Sequence, residues 1–316
     1  MTHKPVMLKE VLEAIQPKDG DIIVDGTFGR GGYTRGFLEA SNCQVWGIDR
    51  DPEAVAEGLS LEGQFQGRFH IIEGEFGQMD TVLTPHNITK VDGIALDIGI
   101  SSPQIDQAER GFSFSKEGPL DMRMSLKGPT AADLVNTLPE EELADILYNY
   151  GEERASRRIA KKIVAMRREN PITTTKQLAD IIYSVLPRYG KGIDPATRTF
   201  QALRIKVNDE LGELERGLES AERLLSPGGR LAVVSFHSLE DRCVKQFLKS
   251  RSERKSSSGY RHVPDSNEIF PDPTFKLGAR KAIKPSEEEC KTNPRARSAK
   301  LRWAIRTDAP QIGGSR

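Results

Sequence analysis

The sequence predicts an α/β fold, a doubly wound parallel sheet interrupted by an inserted all-helical domain. Short apolar runs alternate with helical segments through Asp97, which is the signature of parallel strands covered on both faces. The alternation then gives way to loop and helix from Ile98 to about Ile205, and strand-like runs return only at Arg230. The expected division is therefore a discontinuous core, residues 1–105 with 206–316, and an inserted helical unit, residues 106–205. A chain of 316 residues has room for two such units.

In chain order, Asp21–Asp25 (DIIVD) is the first strand, followed by a glycine-rich turn and a helix from about Gly32 to Ala40. Gln44–Asp49 is the second strand, and Pro52 suits the first turn of the helix after it. Arg68–Glu73 and Val91–Asp97 are the third and fourth strands. A Gly/Pro/Ser-rich stretch runs through Gly128, and Thr130 with Asp133 three residues on marks a helix start. Helical runs follow at Glu140–Tyr150 and Glu152–Arg168, and Lys206–Leu225 reads as one long amphipathic helix. Pro227, Gly228 and Gly229 turn the chain into a fifth strand, Arg230–Ser235, and Leu239–Lys249 is the next helix. The polar, basic stretch 251–267 reads as a mobile loop, and Phe275–Lys284 with Lys300–Arg306 as a closing strand pair.

Composition excludes several classes. Hydrophobic residues make up 37% and charged residues 29%, as in a soluble globular chain. No apolar stretch approaches the roughly 18 residues of a membrane span, and the first residues lack a signal-peptide pattern, so cytoplasmic residence without membrane contact is expected. Cys43, Cys243 and Cys290 are too widely spaced for a disulfide framework or a CxxC site, and no metal is expected. Net charge is zero, yet 151–206 holds 13 Lys and Arg against 5 Asp and Glu, and 242–306 holds 17 against 7. Such segregation can give a neutral molecule a basic face suited to phosphate backbones, or simply well-solvated helices.

Asp25-Gly-Thr-Phe-Gly-Arg-Gly31-Gly32 places an acid at a strand end and then glycines where a backbone must bend and approach a ligand closely. Asp49, 24 residues beyond Asp25 at the end of the second strand, suits a carboxylate that accepts from both ribose hydroxyls of an adenosine. A dinucleotide fingerprint would need glycine where Thr34 stands, so a nicotinamide oxidoreductase is disfavoured. The pattern instead resembles that of class I S-adenosylmethionine-dependent methyltransferases, with Thr27 in place of the first glycine, and Leu225-Ser-Pro-Gly-Gly229 resembles the turn before that fold's fifth strand.

The strings DGTFGRGGYT, GIDRDPEA, LDIGISSPQID, ERGFSF, GPLDMRM, ATRTFQALRI, SFHSLEDR and NPRARSAKLR resemble the bacterial 16S ribosomal RNA cytosine-N4 methyltransferase family over nearly the whole chain. The resemblance implies methylation of a cytidine in the decoding region of 16S rRNA in the small ribosomal subunit, with S-adenosyl-L-methionine as cofactor. It further implies cofactor binding by Gly31, Gly32 and Tyr33, by Asp49 on the ribose, by Phe76 beside the adenine, and by Asp97 and Gln104. Tyr33 stands where the family more often has His, as does Asp194 before PATRTFQALRI. Each position has a structural alternative: Phe76 as core, Asp97 as a turn cap, Gln104 as a loop residue. A homodimer is compatible with the sequence.

Carbon-5 methylation of cytosine needs a cysteine nucleophile in a Pro-Cys or Thr-Cys pair, and none of the three cysteines has that setting. An exocyclic amine needs acceptors for its hydrogens, and Asp97 with Ser102 in Asp97-Ile-Gly-Ile-Ser-Ser-Pro-Gln104 partly matches the amine methyltransferase motif. Asp97 and Ser102 are thus the candidate catalytic residues, receiving a base rotated out of its stack. His237, with Glu240, is a further candidate, although a His after a strand also serves structurally. Arg154, Arg157, Arg158, Lys161 and Lys162 recur on one helix whose buried face is Ala155, Ile159 and Ile163, and with Arg198 and Arg204 they are the expected RNA contacts. A methyltransferase for another RNA base or a protein side chain, and a non-catalytic RNA-binding assembly factor, are the remaining alternatives.

Overall fold

The computed structural model describes residues 5–187, 192–253 and 272–311. It divides into two compact units, Met1–Gly99 with Gly212–Arg316, and Ile100–Leu211. The expected core reached residue 105, but Ile100 packs into the apolar cluster of the helical unit and draws the segment carrying Ser102 and Gln104 with it.

The first unit opens with α1 (Leu8–Ile15), then β1 (Ile22–Asp25), α2 (Gly32–Ala40), β2 (Gln44–Asp49), α3 (Pro52–Glu62), β3 (Phe69–Glu73), a 3-10 turn at Phe76–Gln78, α4 (Met79–Leu83) and β4 (Val91–Asp97). Pro52 sits in the first turn of α3, and the Asp51 side chain accepts from the Glu53 amide at 3.1 Å, which satisfies one of the orphan donors of a helix start. The helical unit holds α5 (Ser102–Asp106), α6 (Ala131–Thr137), α7 (Glu140–Gly151), α8 (Ser156–Arg167), α9 (Thr175–Val185) and α10 (Ala196–Val207). The chain resumes the core with α11 (Glu210–Leu224), β5 (Leu225–Ser235), α12 (Ser238–Ser252), β6 (Phe275–Leu277), α13 (Glu287–Thr292) and β7 (Lys300–Arg306).

Among the described residues the sheet has seven strands in the order β3-β2-β1-β4-β5-β7-β6. β1 to β5 pair in parallel, and β7 runs antiparallel to both β5 and β6. Alternate strand residues feed two apolar layers, as the two-residue period of a strand requires. Ile23, Val45, Ala95 and Ala232 pack with α1 and α2, while Val24, Ile48, Ile94, Leu96 and Val233 pack with α4, α11 and α12. The sheet is therefore covered on both faces. Strand order reverses between β1 and β4, and in open α/β sheets that switch point, outside the carboxyl ends of the strands, is where ligands bind.

In the helical unit, Leu143, Leu147, Ile159, Ile163, Leu178, Ile182, Phe200 and Leu203 share one core. The strings ERGFSF and GPLDMRM lie beside it. A Cβ on Gly118 would fall 1.8 Å from the Ala108 carbonyl oxygen, so two backbone segments cross there at a distance no side chain allows. Asn208 stitches the same region, its amide donating to the Met122 carbonyl at 2.7 Å and its carbonyl accepting from the Met124 amide at 2.8 Å.

Three sequence expectations are corrected. The helix expected over 206–225 is two: α10 stops at Val207, Asn208 turns its side chain to Met122 and Met124, and Asp209 takes φ +47° before α11. The helix expected from Glu152 begins at Ser156, because Glu152 adopts φ +50° to close α7 and the Glu153 carboxylate accepts from the Ala155 amide at 2.7 Å. Arg154 and Ala155 thus precede α8. The strand expected over Phe275–Lys284 has three residues, after which Ile283 bridges Leu301 alone. The expected mobile loop lies largely outside the described residues.

Candidate cofactor and catalytic site

Parallel register sets four carboxyl ends side by side. Asp25 of β1 is opposite Gly47 of β2, and Asp49 of β2 opposite Glu73 of β3. On the other flank Asp25 is opposite Ala95, two residues before Asp97 at the end of β4. The glycine loop leaves β1 here, its Gly26 amide bonded to the Ala95 carbonyl at 3.0 Å. Gly29 and Gly31 take φ of +54° and +68°, and Gly31 caps α2. A Cβ on Gly31 would meet the Phe28 ring at 2.7 Å, and one on Gly32 would meet Pro5 at 2.7 Å, so packing alone demands glycine at both. At Gly29 a Cβ would meet nothing nearer than the Thr27 carbonyl at 3.8 Å. This is the open face of the loop.

Asp49 holds that loop to the sheet. Its carboxylate accepts from the Gly29 amide at 2.7 Å and from the Asp51 amide at 2.9 Å. Burial raises its pKa, against the pull of these two amides. Each oxygen keeps a further lone pair, which suits the carboxylate to a vicinal diol. Phe76 follows β3 in the 3-10 turn, half-buried, with its ring against Gly217 of α11.

Asp25 and Asp97 form the acidic centre. The Asp25 Oδ2 accepts from the Thr34 amide at 3.1 Å and its hydroxyl at 2.8 Å, while Oδ1 is buried without a hydrogen-bond partner. Burial pushes the Asp25 carboxyl up to about 6, opposed by the Thr34 bonds and by the Thr27 amide. The Asp97 amide donates to Thr27 Oγ1 at 2.6 Å, which gives Thr27 its reason to stand in the loop. Asp97 Oδ1 is also buried without a partner, and burial, then Asp25, then Glu240 push its carboxyl up to about 8, with Arg295 pulling the other way. Buried acceptors without a protein partner call for one, a bound group or an ordered water.

His237 and Glu240 follow β5 on the same edge, and their groups are committed to the start of α12. Glu240, fully buried, accepts from the Phe236 amide at 2.8 Å and the His237 amide at 3.1 Å. His237 Nδ1 accepts from the Glu240 amide at 3.4 Å, and its Nε2 lies 2.9 Å from Glu240 Oε1. This reciprocal capping box gives His237 a structural role at the start of α12, while its Nε2 makes no hydrogen bond.

The remaining candidates belong to the helical unit. Ser102 begins α5, and buried Gln104 accepts from the Ser101 amide at 3.0 Å, closing the first turn. Arg154, Arg157, Arg158, Lys161, Lys162 and Arg198 are exposed, whereas Ile159 and Ile163 are buried as expected. Arg204 is a correction: its guanidinium makes a two-pronged pair with Glu210 at 2.7 and 2.8 Å, both side chains largely buried.

Sequence reasoning missed a strap over the loop. Tyr33, buried, donates its hydroxyl to the Val6 carbonyl at 2.6 Å, and the Met7 amide donates to Glu289 of α13 at 2.8 Å. Tyr33 therefore acts through its side chain on the protein. Arg295, in the 3-10 turn Pro294–Ser298, was missed as well; no motif spacing ties it to Asp97, and only the fold brings their charges into range.

A doubly wound sheet with one antiparallel strand, a glycine loop after β1 and an acid closing β2 defines a class I methyltransferase whose methyl donor is S-adenosylmethionine. The residues are compatible with that donor: Asp49 keeps lone pairs free beside the loop, Gly29 leaves the loop's face open, and among the described residues Asp25 Oδ1, Asp97 Oδ1 and Glu240 Oε1 are buried acidic oxygens without a hydrogen-bond partner. Residues 1–307 match the MraW methylase family, and the chain belongs to it. Similar proteins include the "Ribosomal RNA small subunit methyltransferase H" of Paramagnetospirillum magneticum, 62% identical with 98% of this chain and 96% of that one covered. Proteins of the same name in Rhodospirillum centenum and Maricaulis maris are 60% and 57% identical, with 98% of this chain covered in each case and 93% and 92% of theirs.

Proposed function

We propose that the protein methylates the N4 amine of a cytidine in the decoding region of 16S rRNA, within the small ribosomal subunit and in the cytoplasm. The observation that carries this reading is identity of 62% over 96% of a relative whose name specifies methylation of small-subunit ribosomal RNA. When bound, S-adenosylmethionine supplies a methyl group already activated by its sulfonium, so the protein's part is positioning and electrostatics. Asp49 and the amides of the glycine loop, Gly31 and Gly32 among them, hold the adenosyl ribose, and Phe76 lies beside the adenine. Asp97, ionised, accepts an N–H of the target amine and so localises the lone pair that attacks. Ser102 serves the same target, and Gln104 the cofactor, from the segment after β4. Arg154, Arg157, Arg158, Lys161, Lys162 and Arg198 engage RNA phosphates.

Mass spectrometry of 16S rRNA from cells with and without the protein tests the reading. One N4-methylcytidine present only with the protein is expected. Identical modification in the two RNAs, or a methyl on another atom, overturns it.

A further inference from the structure

At the carboxyl edge of the sheet, Asp97 feels the charges of two other carboxylates and of one arginine. Asp25 comes from β1, Asp97 from β4 and Glu240 from α12, and Arg295 from the turn before β7 supplies the positive charge that acts on Asp97. Asp49 from β2 adds to the field at Asp25, and Tyr33 from α2, buried, feels both Asp25 and Asp97. Glu240 differs in that its Oε2 accepts from two backbone amides, while its Oε1, buried and without a hydrogen bond, lies 2.9 Å from His237 Nε2. Asp25 Oδ1 and Asp97 Oδ1 have no such partners, and both are buried. Two like charges on neighbouring strands, each with an unsatisfied oxygen, are costly to ionise together, and the neutral form of one relieves the cost.

Resting on the methyltransferase reading above, we propose that Asp25 and Asp97 together retain a proton in the free protein and release it when the cationic donor binds, so that the pair selects the sulfonium of S-adenosylmethionine over the neutral thioether of S-adenosylhomocysteine. The carboxyls are displaced in the direction this requires: burial lifts both, with the charge of Asp25 adding at Asp97 and that of Asp49 adding at Asp25. Methyl transfer to an amine closes the cycle in balance. The N–C bond forms, the S–C bond breaks, the sulfonium charge disappears and the nitrogen loses one proton. The ionised pair then has a proton to take and no sulfonium charge to neutralise it, which favours departure of the thioether product.

Calorimetric titration of the full chain at pH 7, in two buffers of different ionisation enthalpy, reads the proton directly. S-adenosylmethionine is expected to release a proton on binding, S-adenosylhomocysteine to release none, and Asp97→Asn to abolish the difference. Across pH 6 to 8 affinity for the sulfonium rises with pH by up to about tenfold per unit, while that for the thioether stays flat. Asp25→Asn, whose amide oxygen can still accept both Thr34 bonds, is the second variant and is expected to reduce the release, with thermal unfolding confirming that each variant is folded. Equal release with the two ligands, or release unchanged in both variants, overturns the proposal and leaves the methyltransferase reading standing. Failure of S-adenosylmethionine to bind, with or without small subunits present, overturns that reading and the proposal together.

Discussion

Asp97 carries opposite obligations in fold and function. In the unfolded chain its carboxyl ionises near 3.8, whereas burial, Asp25 and Glu240 push it up to about 8 in the fold. Between those values the folded chain keeps a proton that the unfolded chain has lost. The stability this group contributes is therefore complete below pH 4 and is lost as pH rises toward 8. Asp97→Asn is expected to raise the melting temperature of the free protein at pH 8 and leave it nearly unchanged at pH 4, while methyl transfer falls sharply. An equal shift at the two pH values, followed by thermal unfolding, would show that the carboxyl ionises normally. Asp49 works differently, because its bonds to Gly29 and Asp51 shape the loop as well as awaiting the ribose. Asp49→Ala removes charge-assisted bonds worth about 1.5–3 kcal/mol each, so donor affinity is expected to fall at least tenfold. Calorimetry with S-adenosylmethionine checks it.

Helices in this protein are started and stopped by side chains that the sequence displays but does not assign. His237 caps α12 through Glu240. His237→Ala is expected to cost about 1 kcal/mol of stability while leaving single-turnover methylation largely intact; a large loss of rate at unchanged stability would make His237 catalytic. The basic face of α8 was legible from periodicity, since Arg157, Arg158, Lys161 and Lys162 fall opposite Ile159 and Ile163. Reversing three of these charges should weaken RNA binding and flatten its salt dependence, each lost phosphate contact reducing the log–log slope by about one. Filter binding across a salt series decides. Arg204 was not legible in that way, because its partner Glu210 lies across a helix break that no period announces. Arg204→Ala, which strands a buried carboxylate, is expected to destabilise the helical unit by about 3–5 kcal/mol, read by denaturant unfolding.

At the scale of the molecule, the parallel sheet gathers residues 25, 29, 49, 76 and 97 at one edge, and the seam after Gly99 assigns Ser102 and Gln104 to the helical unit. A ligand that binds only the folded core should stabilise it: S-adenosylmethionine at a hundredfold excess over its Kd is expected to add about 2.7 kcal/mol to the unfolding free energy of the first unit. Hydrogen exchange at β1, β2 and β4 measures that gain. The strand alternation, the glycine loop and the acids at strand ends were set by local sequence, because period, turn chemistry and strand termini are properties of neighbouring residues. Which acids confront one another, which glycines face open space rather than Phe28 or Pro5, and which arginines remain exposed depended on segments distant in the chain. Those outcomes are decided by desolvation and pair geometry, and such quantities exist only after the chain has folded.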